Sequence, residues 1–164
     1  MIAESRITIR PVAEQDRSWM RSLLRERWAG PQIVTRGRIH QADKLPGFIG
    51  WLEDRPVSLV TYHIEGDACE IISLDALEPG RGIGSALVVA VEQAASDNGC
   101  RRLWLITTND NTRGLRFYQK RGFRIAAIYC GAIEQTRKLK PGIPATGFDN
   151  IPIRDEIELE KELK

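Results

Sequence analysis

Hydrophobic and polar residues alternate along three successive runs, 48–53, 56–65 and 68–77, separated by Asp54-Arg55 and Gly66-Asp67. A period of two marks strands and both separators are acceptable turn chemistry, so a three-strand meander is predicted. The third run is mixed on both faces, with Glu70, Ile72, Leu74 and Ala76 opposing Ile71, Ser73, Asp75 and Leu77. A strand with one solvated face separates its polar residues more cleanly, so acidic groups on this inner strand need a reason. Beyond it the period changes: Ile83, Leu87, Val91 and Ala94 recur at helical spacing, and Gly99 is a suitable C-cap. Residues 102–108 then read as a buried strand bounded by Asn109 and Asp110. Strand, helix and strand in that order, with a right-handed crossover, make 102–108 parallel to the last strand of the meander.

The flanks are less regular. Residues 6–10 alternate like a short strand that ends at Pro11, and Asp16 is placed as the cap of a helix reaching Trp28. Residues 29–47, with Gly30, Pro31, Gly37, Pro46 and Gly47, are read as irregular. On the other side Asn111, Gly114, Leu115 and Tyr118 fall on one helical face. A strand over 123–129, a short helix over 133–139 stopped before Pro141, and an irregular loop follow. A last strand over 151–159 would set Ile151, Ile153, Asp155, Ile157 and Leu159 on one side and Arg154, Glu156, Glu158 and Glu160 on the other. Asp155 then points with the apolar set, either as an inward salt-bridge partner or as a contact for the positive amine of a substrate.

Between the meander and its helix lies Pro79-Gly80-Arg81-Gly82-Ile83-Gly84-Ser85. Alternate glycines leave main-chain N–H groups uncovered where a helix begins, and the helix dipole adds positive charge there, so the turn suits a phosphate. A Walker loop would end in Gly-Lys-Ser/Thr, but Gly84 is followed by Ser85-Ala86. A dinucleotide fingerprint needs a glycine where Leu87 stands. Both of those classes fail on residues.

A second stretch, Asn111 to Phe123, carries Asn-x-x-Gly-x-x-Phe-Tyr-x-x-x-Gly-Phe. Together the two stretches resemble the GCN5-related N-acetyltransferase (GNAT) superfamily over roughly residues 50–130. The first is similar to its Arg/Gln-x-x-Gly-x-Gly/Ala pyrophosphate loop and the second to its Asn-x-x-Ala-x-x-Phe-Tyr helix. Two departures stand out: Pro79 replaces the usual Arg or Gln, removing a side-chain donor and a backbone N–H, and Gly114 replaces the usual Ala. The resemblance implies one domain over 1–164 of mixed α+β class: a three-layer fold with a twisted, mostly antiparallel sheet and helices on both faces. It also implies that the parallel strand pair splays apart to take the pantetheine arm of acetyl-coenzyme A (acetyl-CoA).

By the same resemblance the cofactor contacts are Leu77, Gly80, Arg81, Gly82, Ile83, Gly84, Ser85, Asn111 and Tyr118, with a backbone N–H on the splayed strand near Leu77 polarising the thioester carbonyl. Tyr118 would protonate the departing thiolate as general acid; the alternative is a core tyrosine with a satisfied hydroxyl. Glu70 and Asp75 are candidate general bases, since a partly buried carboxylate has a raised pKa, and a structural ion pair with an arginine is the alternative for each. Arg36, Arg38 and His40 are candidate substrate contacts or a solvated basic loop. The implied reaction is direct acetyl transfer to an amine, with a small-molecule acceptor preferred over a protein N-terminus or lysine. A non-catalytic acyl-CoA sensor is the rival, and a phosphotransferase lacks its lysine and metal ligands.

Composition narrows the partners. The 164 residues suit one domain with a full core, and a net charge of +2 gives no reason for nucleic acid as a bulk partner. No apolar run approaches the ~20 residues of a membrane span, and Met1 to Arg6 lack a signal-like pattern. The three cysteines are widely spaced and accompanied by two histidines, so reduced thiols in a cytoplasm and no metal site are expected. Homodimers are common in the resembled superfamily, and no patch in the sequence compels one.

Overall fold

The computed structural model describes residues 6–164; residues 1–5, which carry most of the N-terminal signal reading, lie outside it. The chain runs β1 (Ile7–Pro11), α1 (Arg17–Trp28), β2 (Gln32–Thr35), β3 (Arg38–Gln41), β4 (Gly47–Leu52), β5 (Arg55–Glu65), β6 (Ala68–Ala76) and α2 (Ile83–Asp97). It continues through β7 (Arg102–Thr108), α3 (Thr112–Lys120), β8 (Arg124–Tyr129), α4 (Ala132–Leu139) and β9 (Glu156–Glu162). Seven strands form one sheet in the order β1-β4-β5-β6-β7-β9-β8. β6 and β7 pair in parallel, whereas the other neighbours are antiparallel. Among the described residues no helix is long and apolar enough to cross a membrane.

Helices cover both faces. On one, Leu87, Val88, Val91 and Ala95 of α2, with Tyr118 of α3, pack on Val57, Val60, Ile71, Leu103, Leu105 and Leu159. On the other, Met20 and Leu23 of α1 pack on Ile49 and Leu59, while Leu24 meets Ile33, Ala42 and Ile72. Burying these branched side chains is the main favourable term in folding, at about 1.5–3 kcal/mol for each fully buried one.

Three elements differ from the sequence expectation. Residues 32–41 are a hairpin, not an irregular loop, turning at Arg36-Gly37 with φ of 49° and 75°. Positive φ at both central residues defines the tight turn whose twist suits a two-residue hairpin. The residues it buries are Ile33, Thr35 and His40, two of them polar, which hides the strands from a hydrophobic pattern. Asp16 makes no cap on α1; its carboxylate accepts from Ala13 N (2.7 Å) and pairs with Arg10 (2.9 Å), so it closes the preceding 3-10 turn. The last strand begins at Glu156 rather than 151, so Asp155 lies before the strand and not on its apolar side.

Candidate active site

β6 and β7 pair from Ala68↔Arg102 to Ile71↔Leu105 and then separate, although both strands run on. The divergence starts at a bulge: Tyr62 pairs with Ile71 and Thr61 with Ser73, leaving Ile72 unmatched. A bulge bends its strand and raises the local twist, which turns β6 away from β7. Past this point one edge of β6 faces an open wedge.

Which N–H groups face the wedge follows from the pairing with β5. Leu77 N donates to Val57 O (2.8 Å), so the Leu77 N–H is spent within the sheet and cannot polarise a thioester. Hydrogen-bonded and non-hydrogen-bonded pairs alternate in an antiparallel ladder. Counting back in that register, Ser73 and Asp75 also bond toward β5, and the N–H groups of Leu74 and Ala76 turn toward the wedge.

The glycine turn sits at the mouth of the wedge. Gly80 has φ of 90° and Gly82, the N-cap of α2, has φ of 73°, conformations that favour glycine. Gly84 is different: it lies in the first turn of α2, where an added Cβ would come 3.2 Å from the Phe117 ring. Ile83 is buried in the core. Arg81 pairs with Glu78 (3.3 Å), and Ser85 Oγ accepts from Arg121 Nε (2.8 Å). Arg121 also donates to Phe117 O (2.8 Å) and lies 3.5 Å over its ring, so its guanidinium is fixed beside the first turn of α2. Arg121 was missed in the sequence because it occupies a variable position of the Phe-Tyr-x-x-x-Gly-Phe stretch.

On the α2 face of the wedge, Tyr118 is 8 % exposed and stacks edge-on with Phe117 and Phe123. Its hydroxyl makes no hydrogen bond among the described residues. Burial, then the charge of Asp75, pushes its pKa above the ordinary phenol value, so it stays protonated. Asn111 caps α3, with Oδ1 accepting from Gly114 N (3.1 Å) and Nδ2 donating to Thr107 Oγ1 (2.9 Å). A Cβ on Gly114 would lie 2.2 Å from that amide. The small residue at 114 therefore makes room for the cap of its own helix rather than for a ligand.

Two carboxylates line the opposite face. Asp75 accepts from Trp28 Nε1 (2.8 Å); burial raises its pKa and the indole bond opposes that rise. Glu70 is 3 % exposed and is raised to about 7, first by burial, with the Thr35 hydrogen bond opposing. Thr35 Oγ1 donates to Glu70 Oε1 (2.7 Å). That hydroxyl has one proton, so in its 3.0 Å contact with His40 Nε2 the imidazole N–H is the donor. Burial, then the charge of His63, lowers His40 to about 4, which keeps it neutral. His40 and Thr35 thus form a chain of donors ending on one oxygen of Glu70. The other, Oε2, is 3.7 Å from His40 Nε2 and receives no hydrogen bond among the described residues.

The hairpin that carries Thr35 and His40 is itself pinned. Arg36 N donates to Glu156 Oε2 (3.0 Å), and the Arg36 guanidinium lies 3.4 Å over the Tyr129 ring. Glu156 is 2 % exposed and also accepts from Thr136 of α4 (3.0 Å). Lys140 Nζ donates to the carbonyls of Trp28 and Gln32. Arg38 pairs with Glu65 at the surface. Asp155 accepts from Gly131 N (2.8 Å) at the start of α4, which gives it a structural partner. The structure therefore brings His40 to Glu70 and gives Arg36 and Asp155 protein partners of their own. Cys69 and Cys100 are buried, and burial pushes Cys69 up to about 12, far from the reactive thiolate range.

A parallel strand pair that diverges beside a glycine-rich helix start defines the acetyl-transfer class, and sequence comparison agrees. Residues 12–123 match the model of the Acetyltransferase (GNAT) family, and the chain belongs to that family. It is 42% identical over 160 residues to the uncharacterized protein YxbD of Bacillus subtilis (strain 168), covering 96% of this chain and 100% of the relative. A Bacillus subtilis acetyltransferase solved in complex with CoA superposes with a TM-score of 0.71 at 19% identity, covering 97% of this chain and 100% of that one. A GNAT family acetyltransferase from Elizabethkingia anophelis with acetyl-CoA bound gives 0.69 at 21% identity, covering 98% and 100%. The two structures share the fold.

Proposed function

We propose that the chain transfers an acetyl group from acetyl-CoA to a primary amine, preferably of a small molecule, within a ternary complex. The observation that carries this reading is a pair of proton-handling groups on opposite faces of the sheet where β6 and β7 part. Glu70, at about 7, can accept a proton near neutral pH, and Tyr118, kept protonated by burial, can give one up. The CoA-bound structures of like fold support the choice of donor.

In this reading the backbone N–H groups around Gly82 to Ser85, with Arg121 beside them, hold the diphosphate, and acetyl-CoA supplies an activated thioester as cosubstrate. Arg121 provides the side-chain donor that Pro79 does not. The Leu74 N–H meets the charge that develops on the carbonyl oxygen. Glu70 Oε2 takes a proton from the attacking amine, and Tyr118 gives one to the departing sulfur. Holding both reactants in one site removes much of the entropic barrier, with effective molarities of ~10⁵ M or more for good alignment. Asp75, tied to Trp28, positions α1 against β6.

Calorimetric titration tests the donor half. Acetyl-CoA is expected to bind the wild-type protein, and Arg121→Gln is expected to weaken that binding about tenfold, as for loss of one charge-assisted contact. Absence of any heat of binding in the wild type would overturn the whole reading. Thr35→Val tests the base. Loss of the donated hydrogen bond raises the Glu70 pKa, so the acidic limb of the kcat/KM profile should move up by roughly one unit, and Thr35→Ser should restore it. An unmoved limb would show that Glu70 is not the titrating group.

A further inference from the structure

A cleft of about 230 Å³ opens in front of Glu70, lined by His63, Glu65, Ala68, Glu70, Arg102 and Trp104. Most of its charges are already matched. Arg102 donates to Glu158 (2.8 Å) and Glu160 (2.7 Å), and at the rim Arg38 pairs with Glu65. His63 lies 3.9 Å from the same Glu65 carboxylate. Glu70 is the exception: Arg38 and Arg102 act on it only through space, its neighbour His40 is neutral, and its Oε2 receives no hydrogen bond among the described residues. A carboxylate oxygen that faces a cleft, on a side chain only 3 % exposed, and accepts no hydrogen bond among the described residues is a natural seat for a positive group.

We infer that this cleft is the acceptor pocket, and that it takes a small primary ammonium with no carboxylate beside the nitrogen. The ammonium occupies the vacant lone pairs of Glu70 Oε2, and the Trp104 ring offers an apolar wall for its carbon skeleton. An adjacent carboxylate would be brought among Glu65, Glu70, Glu158 and Glu160, while both nearby arginines are engaged by those same glutamates. Like charges that close repel, and freeing an arginine would break its ion pairs. The volume also limits size, since drug-sized ligands fill clefts of about 300–1,000 Å³. Free α-amino acids are therefore poor acceptors, and simple alkyl or arylalkyl amines are good ones. The inference rests on the acetyl-transfer reading for what happens next, but the pocket's occupant can be tested apart from it.

The experiment compares 2-phenylethylamine, phenylalanine amide and phenylalanine, which share a skeleton and differ at the carbon bearing the amine. Release of CoA thiol should show kcat/KM at least tenfold lower for phenylalanine than for either of the others. A ratio under tenfold overturns the assignment. Ala68→Leu, which narrows the cleft that Ala68 and Glu70 both line, should raise the KM for 2-phenylethylamine at least tenfold and leave acetyl-CoA affinity unchanged; an unchanged KM also overturns it. If acetyl-CoA binds and no amine is acetylated, the transfer reading fails and the pocket is judged by binding alone. In that case 2-phenylethylamine should raise the melting temperature of the wild type and not of Glu70→Gln. No wild-type shift would end the proposal.

Discussion

Replacing Glu70 by glutamine is expected to lower kcat/KM by about 10²–10⁴-fold, the usual worth of a positioned general base, while making the protein more stable at pH 8. The two effects share one cause. Burial raises the Glu70 pKa from an ordinary 4.5 to about 7, so the fold disfavours the charged carboxylate that the reaction needs. Below pH 4.5 the group is neutral in folded and unfolded chains alike and contributes nothing. Between 4.5 and about 7 the unfolded chain ionises first, and stability falls as pH rises; above about 7 the full penalty is present. That penalty is about 3 kcal/mol, from roughly two and a half pKa units at 1.36 kcal/mol each. Glutamine still accepts from Thr35 and carries no charge, so it should raise the melting temperature at pH 8 by roughly 5–10 °C and leave it unchanged at pH 4. The wild-type rate should climb with pH through about 7 and level off, and the variant should lack that rise. A variant as active as the wild type would remove Glu70 from the mechanism.

Tyr118→Phe is expected to cut kcat by at least 10²-fold and change the dissociation constant of acetyl-CoA by less than threefold. The ring is the part of Tyr118 that packs between Phe117 and Phe123, and phenylalanine keeps it. The hydroxyl forms no hydrogen bond among the described residues, so its removal strands no partner there and stability should hold within about 1 kcal/mol. A phenol whose pKa is raised is a weaker acid than a free one, but it stays protonated, and so keeps a proton to give, over the whole working range. Rapid-quench measurement of the first turnover separates proton donation from product release. Unchanged single-turnover rates would reduce Tyr118 to a core residue.

The regular parts of the fold were legible because burial there follows the backbone period. The meander, α2 and the strand at 102–108 appear within a residue or two of their expected limits. Legibility fails where polar groups point inward. Thr35 and His40 are buried on the hairpin, so a search for apolar alternation passes over it, and Glu156, expected on the polar side of the last strand, is buried on β9. Glu70 was found because an acid on an inner strand is conspicuous, but its partners lie 35 and 30 residues away in the chain, and pairing at that range leaves no local mark. An N–H near Leu77 was expected to face the thioester; the ladder with β5 uses that of Leu77 itself and leaves those of Leu74 and Ala76 turned to the wedge, a choice set by hydrogen-bond parity that side-chain identities do not reveal. Asn111 was recognised by resemblance, yet its amide is spent on capping α3, and only the overlap with a Cβ at 114 explains why the usual alanine is absent.

The proposed base and the groups that hydrogen-bond it come from different parts of the chain. Glu70 stands on the sheet beside the wedge between β6 and β7, whereas Thr35 and His40 ride on a two-strand ribbon inserted between α1 and β4 and clipped down at Arg36 and Lys140. Drift in the ribbon can retune basicity and reshape the entrance for new acceptors while the donor-holding half stays intact. Such a division lets one scaffold diversify its chemistry by exchanging a single exchangeable module of some ten residues.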